Sequence, residues 1–74
     1  MDLVNDRLVP STIVEVLDRN GVLEVEELFK SVQKLHSELD RRFFEETLMG
    51  LEIQGLIRVY GMARDKRRIE IVKG

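Results

Sequence analysis

The sequence predicts an α+β fold, three helices followed by a C-terminal two-stranded β-hairpin, within one domain. Apolar residues recur at helical spacing through residues 10–54, and at Gly55 the period changes from 3.6 to 2. Two alternating stretches then flank a short polar turn, the pattern of a hairpin with one buried face. On this reading residues 1–9 are an N-terminal extension, 10–54 hold the helices and 55–74 form the hairpin.

The first helix is expected to open at Pro10 and Ser11 or Thr12, because Thr12 and Glu15 have the spacing of a capping box. Ile13, Val14 and Leu17 share a face, and Asn20-Gly21 closes the run. Val22 and Leu23 suffice only for a short strand. In the second helix Val25, Leu28, Phe29, Val32 and Leu35 make an apolar stripe, with Glu26 and Glu27 in the first turn and Lys34 near the end, each suited to the helix dipole. His36 to Leu39 reads as a connection, and Ser37 or Asp40 as the N-cap of a third helix running to about Gln54. That helix buries Phe44, Leu48 and Leu51. Gly50 within it costs up to about 1 kcal/mol relative to alanine, so it either admits a close neighbour or marks a weak point. Beyond Gly55, Ile57, Val59, Ile69 and Ile71 point inward while Arg58, Tyr60, Arg68 and Glu70 point outward.

A chain of 74 residues buries only about 60% of the surface that its unfolded form exposes, so the core is thin and self-association would help it. The sequence contains no cysteine and one histidine, His36, which excludes a disulfide framework, a thiolate metal site and a cysteine nucleophile. His36 is expected to make local hydrogen bonds in a loop. No apolar run approaches the roughly 20 residues that span a bilayer, and residues 1–6 lack the features of a signal peptide, so a cytoplasmic location without membrane contact is expected.

The net charge of −2 conceals an asymmetry. Residues 1–54 carry twelve acids against six bases, whereas residues 55–74 carry six bases against two acids. As a sequence, the chain is electrically two-ended. The positive residues cluster at Arg64, Lys66, Arg67 and Arg68 on the hairpin turn. Neutralisation of phosphates by all four would give a log-log salt slope of roughly −3.6; the bland alternative is a solvated tip that protects a sheet edge.

The element order, together with Leu51-Glu52-Ile53-Gln54-Gly55-Leu56-Ile57, resembles the winged-helix (winged helix-turn-helix) family, in which a leucine-rich recognition helix ends in such a junction before the β wing. The resemblance covers about residues 10–72. It implies that residues 25–35 are the supporting helix and 40–54 the recognition helix, and that Leu51, Leu56 and Ile57 anchor the junction. It further implies double-stranded DNA as partner, with base or phosphate contacts from Arg41 and Arg42 and wing contacts from Arg64, Lys66, Arg67 and Arg68.

The outward positions of helix 3 include Glu45, Glu46, Met49 and Glu52, and three acids on one face are repelled by phosphate. Arg41 and Arg42 also stand four residues before Glu45 and Glu46, the spacing of helical ion pairs. The function expected is thus a small DNA-binding transcriptional regulator led by its wing. The alternative is a protein-interaction module of a larger assembly, using helix 3 with Phe43 and Met49. No catalytic residues, metal or cofactor are expected, and a homodimer through the N-terminal extension would supplement the thin core.

Overall fold

The computed structural model describes residues 2–61 and 63–73, with side chains for 8–61, 63 and 65–73. The elements run α1 (Asp2–Asn20), β1 (Val22–Glu24), α2 (Val25–Leu35), α3 (Arg41–Ile53), β2 (Ile57–Tyr60), a 3-10 turn (Arg64–Lys66) and β3 (Arg68–Ile71). This is the α+β class anticipated, and its order is consistent with a winged helix. The strands form one antiparallel sheet in the order β1-β3-β2.

Each helix contributes one triad to the core: Val9, Ile13 and Leu17 from α1, Val25, Leu28 and Val32 from α2, and Phe44, Leu48 and Leu51 from α3. Ile57 and Ile69 close it from the inner face of the sheet. The spacing within every triad is three or four residues, so the helical period alone dictates which side chains meet.

Three expectations need correction. Helix 1 does not open at Pro10: α1 begins at Asp2 and carries Pro10 inside it, and Val9 is fully buried, so residues 2–9 are no separate extension. A proline there removes its own N–H bond and crowds the carbonyl one turn back, a cost set against the burial of Val9 and Ile13 on one continuous helix. Thr12 consequently caps nothing. It is buried, and its Oγ1 lies 2.8 Å from His36 Nε2, sharing a hydrogen bond across 24 residues of chain.

His36 is therefore no loop histidine with local bonds but a core residue, 7% exposed, whose Nδ1 has no hydrogen-bond partner. Leu35, assigned to the buried stripe of α2, is 67% exposed, because the face defined by Val25, Leu28 and Val32 continues four residues on to His36 and then to Leu39. The C-terminal hairpin and the short strand near Val22 form as expected; Leu23 pairs with Ile69, so β1 joins β3 and makes β3 the central strand.

Two chain reversals set the geometry of the wing. At the end of α3, Leu56 N–H donates to Leu51 C=O at 3.0 Å and Gly55 N–H to Glu52 C=O at 2.9 Å, with Gly55 at φ +80°. That is a Schellman closure, and glycine alone adopts its backbone without strain. The Leu56 side chain is exposed, so of the three residues expected to anchor the junction Leu51 and Ile57 are buried and Leu56 is not. At the other end of β2, a Cβ on Gly61 would stand 3.0 Å from Arg67 Cα, so the turn folds back directly over it.

Gly50 differs: a Cβ built there meets nothing within 4 Å, and no element of the chain approaches it. Gly50→Ala should accordingly raise stability by about 0.5–1 kcal/mol, read as a higher denaturant midpoint with unchanged slope. Thr12→Val should lower it by roughly 1–3 kcal/mol, because it strips His36 of its only side-chain partner and leaves both ring nitrogens buried without one.

Candidate nucleic-acid interface

The start of α3 is fixed by Asp40, whose carboxylate accepts from Phe43 N–H at 2.7 Å, so of the two candidate caps it is Asp40 that serves. Arg41, the first helical residue, is turned toward α2. Its guanidinium donates to both Glu26 oxygens at 3.0 and 2.7 Å and through Nε to Glu45 at 3.0 Å. It also lies 4.9 Å from the centroid of the Phe29 ring and 5.8 Å from that of Phe44, two rings that meet edge to face. A bidentate carboxylate on one side and aromatic faces on the other hold Arg41 in one orientation.

Arg67 approaches the same centre from the wing. Its guanidinium donates to Glu45 Oε2 at 2.7 Å, and both side chains are only 18% exposed. Its carbonyl accepts from Val25 N–H at 2.8 Å, so the residue ties the wing to the start of α2 and to the middle of α3 together. Glu45, counted from sequence among the free acids of helix 3, is instead the bridge between two arginines. Hydrogen bonds from Arg67 first, and then from Arg41, hold its carboxyl below the usual carboxylate range. The bond from Arg41 likewise lowers Glu26.

The six predicted contact residues therefore part company. Arg41 and Arg67 meet at Glu45. Arg42 lies on the exposed face of α3, 3.4 Å from Glu46, the helical pairing that its spacing suggested. Lys66 and Arg68 are exposed and form no ion pair among the described residues. The backbone of Arg64 opens the 3-10 turn, and its side chain lies outside the described residues. Arg68 is flanked across the sheet by Glu24 on β1 and Tyr60 on β2, while Arg58 stands opposite Glu70, whose carboxylate also accepts from the Tyr60 hydroxyl. Lys73 pairs with Asp18 at 3.2 Å.

The outward face of α3 offers two residues that the motif argument passed over in part. Met49 is 60% exposed and Ile53, one turn later, 79%. Ile53 was legible in principle, since it lies four residues after Met49 and opposite the Phe44, Leu48, Leu51 stripe. Glu26 as the main partner of Arg41 had no local signal at all, being fifteen residues away.

Comparison with protein-family models, curated proteins and solved structures finds no match. Among the described residues, no helix is long and apolar enough to cross a membrane, and no group of three or more His, Cys, Asp or Glu could hold a metal ion.

Replacing Glu45 by Gln should cost roughly 1–2 kcal/mol, between the limits for exposed and buried pairs. The pH dependence follows from the sign of the shifts. Glu45 and Glu26 have folded-state values below their unfolded ones, so their stabilisation is complete above the unfolded carboxylate range and is lost as the pH falls through the folded values. The thermal unfolding temperature of the wild type should fall progressively below about pH 5, and Glu45→Gln should flatten that slope.

Proposed function

We propose that this chain is a protein-interaction module on a winged-helix frame, presenting the outward face of α3 to a protein partner. The observation that carries the reading is the internal use of the cations on which DNA binding would depend. Arg41 and Arg67 are bound to Glu26 and Glu45, Arg42 is offset by Glu46 and Lys73 by Asp18. Of the wing cations with described side chains, Arg58, Lys66 and Arg68 remain without an ion pair among the described residues, and three phosphate contacts give a log-log salt slope of only about −2.7.

What α3 offers to solvent in place of cations is Met49 and Ile53. Adaptable and apolar, spaced one helical turn apart, they are the anchors by which a helix face engages a groove or a second helix. Gly50 beside them adds no side chain to the surface, which allows a partner to approach the helix backbone closely.

The rival reading, contact with double-stranded DNA through Lys66 and Arg68, is supported by their exposure without ion pairs. One pair of variants separates the two. Ile53→Glu combined with Met49→Glu should abolish capture of a protein partner while leaving thermal stability unchanged, and Lys66→Glu combined with Arg68→Glu should not. An anisotropy titration with duplex DNA at low ionic strength should show no binding at tens of micromolar, the middle of the non-specific range. Salt-sensitive duplex binding that the Lys66 and Arg68 reversals remove would overturn the proposal in favour of DNA.

A further inference from the structure

A groove of about 410 Å³, open to solvent, separates α1 from the end of α3. Its floor is apolar, made by Pro10 and Val14 of α1, Leu51 of α3 and Leu56 of the junction. Leu51 belongs to the core, but Leu56 is 43% exposed, so the junction leaves apolar surface uncovered beside a buried neighbour.

The α1 side of the groove carries Glu15 and Asp18, and no basic side chain lines it among the described residues. Each acid holds one cation from outside the groove, Arg19 on Glu15 at 3.0 Å and Lys73 on Asp18 at 3.2 Å. All four side chains are mostly exposed, and ion pairs so fully solvated contribute little. A competing cation therefore displaces them at small cost.

On the α3 side, the groove is not walled off from the outward face of the helix. Gly50 stands one turn before Gln54, on the row of α3 that borders the groove, and a Cβ built there meets nothing within 4 Å. Met49 and Ile53 occupy the adjoining row. Where a side chain at position 50 would raise a ridge between the two apolar features, there is only helix backbone.

We propose that this combined surface receives a cationic amphipathic helix of a partner protein. Large apolar residues one turn apart rest on Met49, Ile53 and Leu56, and lysine or arginine on one flank meets Glu15 and Asp18. Such a partner is the occupant of the interaction face proposed above and depends on that reading. A helix suits the site because its apolar residues recur at the interval that separates Met49 from Ile53, and Gly50 lets its backbone come close. The sign of its charge follows from the rim. A neutral or acidic helix would cover two carboxylates without replacing their solvation, whereas a cation forms its pair under apolar cover, where attraction is stronger than in water.

The probe is a fluorescein-labelled amphipathic peptide with leucine at every third or fourth position and lysine between, compared with a counterpart carrying glutamate for lysine. Anisotropy titration should show the lysine peptide binding severalfold more tightly, by a margin that shrinks as salt rises. Glu15→Lys combined with Asp18→Lys should reverse the preference with little change in thermal stability, since both sites are exposed. Gly50→Gln should weaken the lysine peptide severalfold while leaving the protein at least as stable, a combination that a merely structural glycine would not give. Sedimentation equilibrium should return a mass of 8.6 kDa without peptide. Equal affinity for the two peptides, or no binding of the lysine peptide, overturns the cationic partner. Binding that Met49→Glu with Ile53→Glu removes but the Glu15, Asp18 and Gly50 variants leave intact overturns the groove while sparing the outward face of α3. A dimer that the lysine peptide fails to dissociate puts a second copy on this surface and overturns the proposal.

Discussion

The carboxylate of Glu45 is the point through which the parts of this domain are held in register. It accepts from Arg41 at the start of its own helix and from Arg67 at the root of the wing, while Arg41 reaches on to Glu26 of α2. Three elements distant in sequence thus share one charged cluster, set against the Phe29 and Phe44 rings, where partial burial strengthens each bond. The helices could pack through their apolar triads without this cluster. The bond from Arg67 to Glu45 and the main-chain bond from Val25 to Arg67 tie the wing to α3 and α2 in addition to the apolar contacts of Ile57 and Ile69.

This cluster also changes what the charge distribution means. Along the sequence an acidic portion precedes a basic one, but folding brings the basic portion back onto the acidic one. Arg67 meets Glu45, Lys73 meets Asp18, and the strand register sets Arg68 beside Glu24 and Arg58 beside Glu70. Two of these juxtapositions are ion pairs, while Arg58 and Arg68 only stand in register with acids and stay exposed. The surface that results is mixed in sign, with an apolar interruption at Met49 and Ile53 on the helix that occupies the place of the recognition helix in DNA-reading winged helices.

Local periodicity made much of the fold legible. Val25, Leu28 and Val32, or Phe44, Leu48 and Leu51, are buried because three- and four-residue steps put them on one face, and Gly55 closes α3 because the αL turn needs it. What could not be read locally depended on distant chain. Nothing near Thr12 announces His36, nothing near Arg41 announces Glu26, and the true start of α1 depended on core contacts made by Val9. Arg41 and Arg42 are identical as sequence, yet one is locked inward and the other lies on the surface. A stepwise pattern records which face a residue occupies and not what will be packed against it.

The strand order has a consequence for how the molecule is made. The centre of the sheet comes from β3, and Leu23 must find Ile69, 46 residues later, before β1 has any partner. β1 does not pair with β2, so the local β2–β3 hairpin must be in place before β1 has a strand to join. Closing so large a loop is entropically slow, whereas α1, α2 and α3 can pack through contacts nearer in sequence. Docking of β1 on the hairpin is the step of the sheet that closes the longest loop. By the same logic, losing β3 unmakes the whole sheet and not merely its tip.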